Sequence, residues 1–187
     1  MPSLKLRLER LPSPLGPMLI LTDEDGVLRA LDWQDHEQRM HLLLRRQYGG
    51  ASIEIVEGGA ACAAGPRLAA YFAGDIGALD GLRVATGGTA FQRLVWQTLR
   101  EIPAGTTLSY GELAARIGRA AAVRAVGLAN GANPVSLVVP CHRVIGSNRT
   151  LTGYGGGLER KRWLLAHEGA LAEAGDAPAR TARLPGF

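Results

Sequence analysis

Cysteine is scarce. Of 187 residues only Cys62 and Cys141 carry thiols, so at most one bridge could form and no disulfide framework holds this chain together. Neither belongs to a CxxC pair, and the four histidines, His36, His41, His142 and His167, show no spacing that would close a zinc site with them. No metal and no cofactor is expected. Long apolar runs are missing as well. Lys5, Arg7, Glu9 and Arg10 interrupt the first ten residues, where a signal peptide would need an apolar core, and no uncharged stretch approaches the roughly 18 residues of a membrane span. What is left is an ordinary globular composition, 47% hydrophobic and 20% charged, enough to bury one or two cores. A cytoplasmic setting with both thiols reduced is expected.

Acidic residues thin out in one part of the chain. Residues 88–170 carry ten Lys+Arg against four Asp+Glu, a net of +6, whereas residues 1–87 carry nine against eleven, a net of −2. A solvated basic face accounts for such clustering, and so does a polyanion partner.

The periodicities divide the chain into a small α/β domain with linker over 1–85, a mostly helical domain over 86–170 and a loose tail over 171–187. In the first, "LKLRLER" alternates at period two, "MLILT" and "VLRALDW" follow across turn residues, and an antiparallel meander results. "QDHEQRMHLLLRRQYGG" reads as a helix, "SIEIVE" as a strand, and "PRLAAYFAGD" as a helix opening at Pro66. In the second domain Phe91, Leu94, Val95, Thr98 and Leu99 form the apolar stripe of a helix ended before Pro103.

Three stretches carry chemistry. In "TTLSYGELAARIGRAAAVRAVGLAN", Ser109 and Glu112 form an S-x-x-E capping box, Gly118 ends the helix, and a second helix runs from about Ala120 to Ala129. The outline is that of a helix-turn-helix, and equally of an ordinary helical hairpin. The second helix is short of long polar side chains. Arg124 stands among Ala120, Ala121, Ala122, Ala125, Gly127 and Ala129, which suits close approach to a backbone or narrow groove rather than base reading in the major groove. Arg124 would either insert into a base stack or pair with a phosphate or carboxylate.

"SLVVPCHRVIG" reads as a buried strand that ends at Pro140 and delivers Cys141. A buried, inert thiol is the commonest fate of a lone cysteine. His142 and Arg143 beside it, and His167 or Glu168 within reach from the last helix, favour a nucleophile instead. His142 cannot easily face its neighbour's sulfur, so a relay through one water, with the imidazole oriented by Glu168, is the expected arrangement. In "GYGGGLERKRWLLAHEG" the glycines permit close approach to a flat ligand, and a helix from Leu158 is ended by Gly169 as the residue past its cap. Arg160, Lys161 and Arg162 sit in its first turns, where the helix dipole disfavours cations, and point to a phosphate partner.

"PCHRVIG", with "GANPVSLVV" before it and "TGYGGG" and "LLAHEG" after it, resembles the O6-alkylguanine-DNA alkyltransferases. "FQRLVWQTLREIPAGTTLSYGELA" and "AAVRAVGLANGANP" are similar to the same family, so the likeness spans about residues 84–170. The family implies an α/β N-terminal domain with a small antiparallel sheet, then a mostly α-helical C-terminal domain containing a helix-turn-helix. Without the cysteine-rich metal-binding extension of regulatory members, the chain resembles the constitutive bacterial kind.

The resemblance implies that Cys141 accepts an alkyl group from flipped-out O6-alkylguanine in duplex DNA, irreversibly and once per molecule. His142 and Glu168 would activate it, and Asn133 would hold the supporting turn. Tyr110 would help rotate the nucleotide and donate a hydrogen bond to the leaving guanine. Arg124 would fill the gap in the duplex, with Tyr110, Ala125 and Gly131 also meeting the DNA from the minor groove, independently of sequence. Val144, Tyr154, Gly155 and Gly156 would line the base pocket. Cooperative self-association on DNA stays open. A non-catalytic lesion binder of the related alkyltransferase-like kind would lack the cysteine, and a small cysteine hydrolase would turn over repeatedly without DNA. Two positions depart from the family. Arg149 follows Asn148 where glycine often completes the turn, and Gly155 replaces a serine of some relatives, which is expected to widen the pocket for larger alkyl groups.

Overall fold

The structure, a computed structural model, describes residues 3–49, 51–58 and 62–171. The expected loose tail lies outside the described residues except for Leu171. The chain forms two compact units, one of residues up to Thr89 together with Pro134–Val138, the other of Ala90–Asn133 and the chain from Val139 onward.

The first unit is built on strands β1 (Ser3–Leu11), β2 (Met18–Thr22), β3 (Leu28–Trp33) and β4 (Ser52–Glu57), in the order β3-β2-β1-β4. The alternation of β1 turns Leu4, Leu6 and Leu8 to one face, where Leu6 and Leu8 pack with Leu19, Leu21, Ala30, Met40 and Leu44. Met40 and Leu44 come from helix α1 (Glu37–Tyr48), whose apolar stripe covers this face. The first three strands are the expected antiparallel meander. The sheet as a whole is not antiparallel: β4 pairs parallel to β1, Leu4 opposite Ile53 and Leu6 opposite Ile55. The reason is α1. It follows β3, which runs in the same direction as β1, and its 12 residues, about 18 Å of helix, return the chain to the starting end. β4 then enters along the β1 direction, as after any β-α-β crossover.

Helix α2 (Ala64–Phe72) begins two residues before Pro66, which still lies in the first turn where no N–H is needed. Val84 and Val135 each make an isolated parallel bridge to β3, at Leu28 and Leu31, so two separate segments cover its outer edge. Pro134–Val138 is therefore not the strand expected of "SLVVP". Leu137 has a φ of 68°, a left-handed conformation that no strand continues through.

The second unit contains α3 (Ala90–Leu99), β5 (Leu108–Ser109), α4 (Tyr110–Arg116), α5 (Val123–Gly131), β6 (Val144–Ile145) and α6 (Leu158–His167). In α3 the buried face is Val95, Trp96, Thr98 and Leu99; Leu94, expected in the core, is 41% exposed. Trp96 displaces the stripe by a step because its indole Nε1 donates to the Ala129 carbonyl of α5 at 2.8 Å, an anchor that apolar periodicity does not show. The capping box at Ser109 is formed in both directions, the serine hydroxyl accepting from the Glu112 amide and the Glu112 carboxylate from that of Ser109. Gly118, at φ 68°, ends the turn after α4, and a single 3-10 turn (Ala120–Ala122) leads into α5. β5 and β6 pair in parallel, Leu108 with Val144 and Ser109 with Ile145.

Candidate active site

Cys141 opens a one-turn 3-10 helix (Cys141–Arg143) immediately after Pro140, and is 3% exposed. Asn133 reaches back to it from the end of α5. Its Nδ2 donates to the Val139 carbonyl at 2.8 Å and to Cys141 Sγ at 3.1 Å. Asn133 thus clamps the two points at which the chain leaves the second unit and returns to it. It also supplies a buried hydrogen-bond donor to the sulfur, a contact that favours the anionic thiolate over the thiol.

The ring of His142 is completely buried, with Nε2 3.0 Å from Glu168 Oε1. Glu168 follows the last turn of α6, and an ionised carboxylate only accepts, so Nε2 carries the proton and Nδ1 keeps its lone pair. Among the described residues Nδ1 has no hydrogen-bond partner. A buried basic nitrogen with its opposite side fixed by a carboxylate is the layout of a general base. Burial pushes the His142 pKa below its ordinary value against the pull of Glu168, and the positive charges of Arg143 and Lys161 add to the lowering. The imidazole is thereby neutral at neutral pH.

Arg143 does not face the sulfur. Its Nε donates to Glu168 Oε2 at 2.8 Å and its Nη2 to Oε1 at 2.9 Å, a two-pronged pair, while Nη1 donates to the Ile102 carbonyl. Burial would raise the Glu168 pKa, but the hydrogen bonds from His142 and Arg143 hold it well below the ordinary carboxylate range. His167, the alternative to Glu168, instead stacks on Trp163 with ring centroids 4.6 Å apart.

Lys161 overturns one sequence expectation. Its place beside Arg160 and Arg162 points to a phosphate contact, yet its side chain is fully buried. Its Nζ donates to the carbonyls of Val144 at 2.5 Å, Thr152 at 2.6 Å and Gly153 at 3.4 Å, tying β6 to the loop before α6. Burial brings its pKa down to about 8, against the attraction of Cys141. Lys161, Leu164, Leu165 and Glu168 follow i, i+3, i+4, i+7, so the buried stripe of α6, continued onto the residue that caps it, contains both charged groups and is readable from spacing. Arg160 is also used within the fold, Nη1 donating to the Gly156 carbonyl at 3.0 Å.

Tyr110, the first residue of α4, has its hydroxyl beside Thr152 and Asn130 and within the field of Cys141. Burial raises its pKa and the charge of Cys141 adds to this, outweighing the opposing influence of Thr152 and Asn130, so the phenol stays protonated. The Tyr154 ring stands edge-on to the His142 ring at a centroid distance of 6.4 Å. Val144 is buried, with its N–H donating to the Cys141 carbonyl. Gly155 and Gly156 precede α6, half-buried and buried. Arg124 and Ala125 are exposed on α5, and Gly131 closes that helix. The structure therefore gathers Cys141, His142, Glu168, Asn133 and Tyr110 at one centre, with Tyr154 against it, and leaves Arg124 and Ala125 on the surface.

A family model described as "6-O-methylguanine DNA methyltransferase, DNA binding domain" matches residues 90–170. A methylated-DNA–protein-cysteine methyltransferase of Salmonella typhimurium is 53% identical over 168 residues, covering 90% of this chain and 98% of the relative. The chain belongs to the methylated-DNA–protein-cysteine methyltransferase family. Among solved structures, an O6-methylguanine methyltransferase of Mycobacterium tuberculosis is 41% identical with a TM-score of 0.69, covering 92% of this chain and 96% of that one. A structure described as Mycobacterium tuberculosis OGT in complex with DNA is 40% identical with a TM-score of 0.69, over 89% and 93%. Around Cys141 the chain gathers a buried thiol, an amide donor to its sulfur and a neutral imidazole held by a carboxylate. Among the described residues no group of three or more His, Cys, Asp or Glu is placed to hold a metal ion, and no helix is long and apolar enough to cross a membrane.

Proposed function

We propose that this methyltransferase repairs O6-alkylguanine in duplex DNA by flipping the nucleotide out of the stack and taking its alkyl group onto Cys141 in a single turnover. The observation that carries the reading is the buried chain of contacts from Cys141 Sγ to Asn133 on one side and from His142 to Glu168 and Arg143 on the other. In the acceptor step His142 Nδ1 takes the thiol proton through one water. The thiolate attacks the alkyl carbon, a C–S bond forms, the C–O6 bond breaks, and its electrons stay on the guanine. Tyr110 donates a hydrogen bond to the guanine anion, which takes its proton from water, while the thiol proton stays on His142. Main-chain groups of Cys141 and Val144 hold the base, with Tyr154, Gly155 and Gly156 as the pocket wall. Gly155, lacking the side chain found in some relatives, leaves room for alkyl groups larger than methyl.

An alkyl group on O6 is out of reach inside the duplex, so extrusion is required, at roughly a few kcal/mol. In this reading α4 and α5 act as a helix-turn-helix that enters the minor groove. The smooth face of α5 contacts DNA without reading sequence, and Arg124 occupies the space left by the flipped guanine. The product is a thioether, which none of the neighbouring groups can cleave. Titration with excess lesion-bearing duplex should therefore stop at one repaired guanine per protein; a higher yield would contradict single turnover.

A further inference from the structure

Among the described residues four large apolar side chains stand out as exposed, Leu42 (39%), Leu94 (41%), Val123 (40%) and Leu128 (53%). Scattered exposed leucines need no explanation, but Leu128 is not scattered. It lies one turn after Arg124 on α5, so the two side chains share one helical face, with Ala125 beside them. All three are exposed, while Val126, Ala129 and Asn130 are buried. The face is thus flat at Ala125, cationic at Arg124 and apolar at Leu128.

Its surroundings say what would cover it. From residue 107 to 131 Glu112 is the one acidic residue, against Arg116, Arg119 and Arg124. The carboxylate of Glu112 is already engaged in the capping box. A cationic and an apolar side chain one turn apart, on a segment with three arginines and one engaged carboxylate, complement a polyanion with an apolar interior. Duplex DNA has that chemistry, with phosphates along the rim and the faces of sugars and bases between them. Proteins that work in the minor groove commonly insert an apolar wedge beside their cationic contacts.

We propose that Leu128 is a second DNA contact on α5, an apolar wedge that packs against the sugars and bases of the minor groove one helical turn from Arg124. The inference rests on the reading that α5 meets DNA. An uncharged contact contributes the same at every ionic strength, whereas a cationic contact weakens as salt rises.

The test is binding of the full chain to an undamaged fluorescent 20-base-pair duplex across a series of salt concentrations. Leu128→Ala keeps a strong helix former at an exposed position, so the helix is retained. It should weaken binding about five- to tenfold at all salt concentrations with an unchanged salt slope. Leu128→Lys should replace the apolar contact by a charged one and steepen the slope by up to about one unit. Arg124→Ala should weaken binding and flatten it. Leu128→Ala binding as tightly as the wild type, with Arg124→Ala weakened, would overturn the wedge and leave the DNA-facing helix standing. No effect from either would overturn both.

Discussion

His142 Nε2 and Glu168 Oε1 lie 3.0 Å apart with both side chains sealed from solvent, and the carboxylate is held from its other side by Arg143. One acid therefore orients the base and anchors a cation. Glu168→Gln removes the charge that fixes the imidazole, and should slow alkyl transfer by about 10² to 10³-fold, as measured in single-turnover assays. Because it also leaves Arg143 without its ionic partner, thermal stability should fall as well.

The same pair makes the protein sensitive to acid. His142 and Glu168 both bind protons more weakly folded than unfolded, so protonation favours the unfolded chain. The stability from His142 is complete above about 6.5 and is lost as pH falls below it; that from Glu168 is complete above about 4.5 and is lost further down. Urea denaturation from pH 8 to pH 3 should show stability falling in this order, and Glu168→Gln should flatten the lower part of the fall. An unchanged slope in that variant would contradict the assignment.

Lys161 titrates in the opposite range. With its pKa at about 8, the unfolded chain holds a proton between pH 8 and the ordinary lysine value that the folded chain has released, so its contribution to stability rises with pH there. Lys161→Met should abolish this rise. At pH 7 it should cost about 1–3 kcal/mol, because the Val144, Thr152 and Gly153 carbonyls lose their donor.

Asn133→Ala should destabilise the protein by about 1–3 kcal/mol, since the Val139 carbonyl loses a buried donor. It should also raise the pKa of the acceptor thiol, because the Nδ2 contact to Sγ is gone. Alkylation of Cys141 by iodoacetamide as a function of pH separates the two effects. An unshifted titration midpoint would show that Asn133 only holds the turn.

Arg149 has a φ of 61°, where side chains other than glycine are strained, and Asn148 Oδ1 braces the turn by accepting from the Thr150 amide at 3.2 Å. Arg149→Gly should therefore stabilise the fold by up to about 1 kcal/mol, read as a rise in melting temperature.

Local signals were readable where residues next to one another decide the structure. The Ser109–Glu112 capping box, the glycine stop at Gly118 and the start of α6 at Leu158 are of this kind. Parallel pairing of β4 was not, because it depends on where α1 leaves the chain. Neither was the excursion of Pro134–Val138, since a left-handed Leu137 follows from packing and not from leucine's preferences. At the centre, the neighbourhood of Cys141, His142 and Glu168 is legible from residue chemistry. Lys161 is not, because its charge masks its place in the buried stripe, and neither is the pairing of Arg143, whose partner lies 25 residues away.

The central claim is that Cys141 itself receives the alkyl group. Intact-protein mass after incubation with duplex DNA carrying one O6-methylguanine, followed by peptide mapping, tests it directly. The account predicts one added methyl, on the peptide containing Cys141, and none in Cys141→Ser. Tight binding to the lesion with no change in mass, or a methyl on another residue, would contradict it.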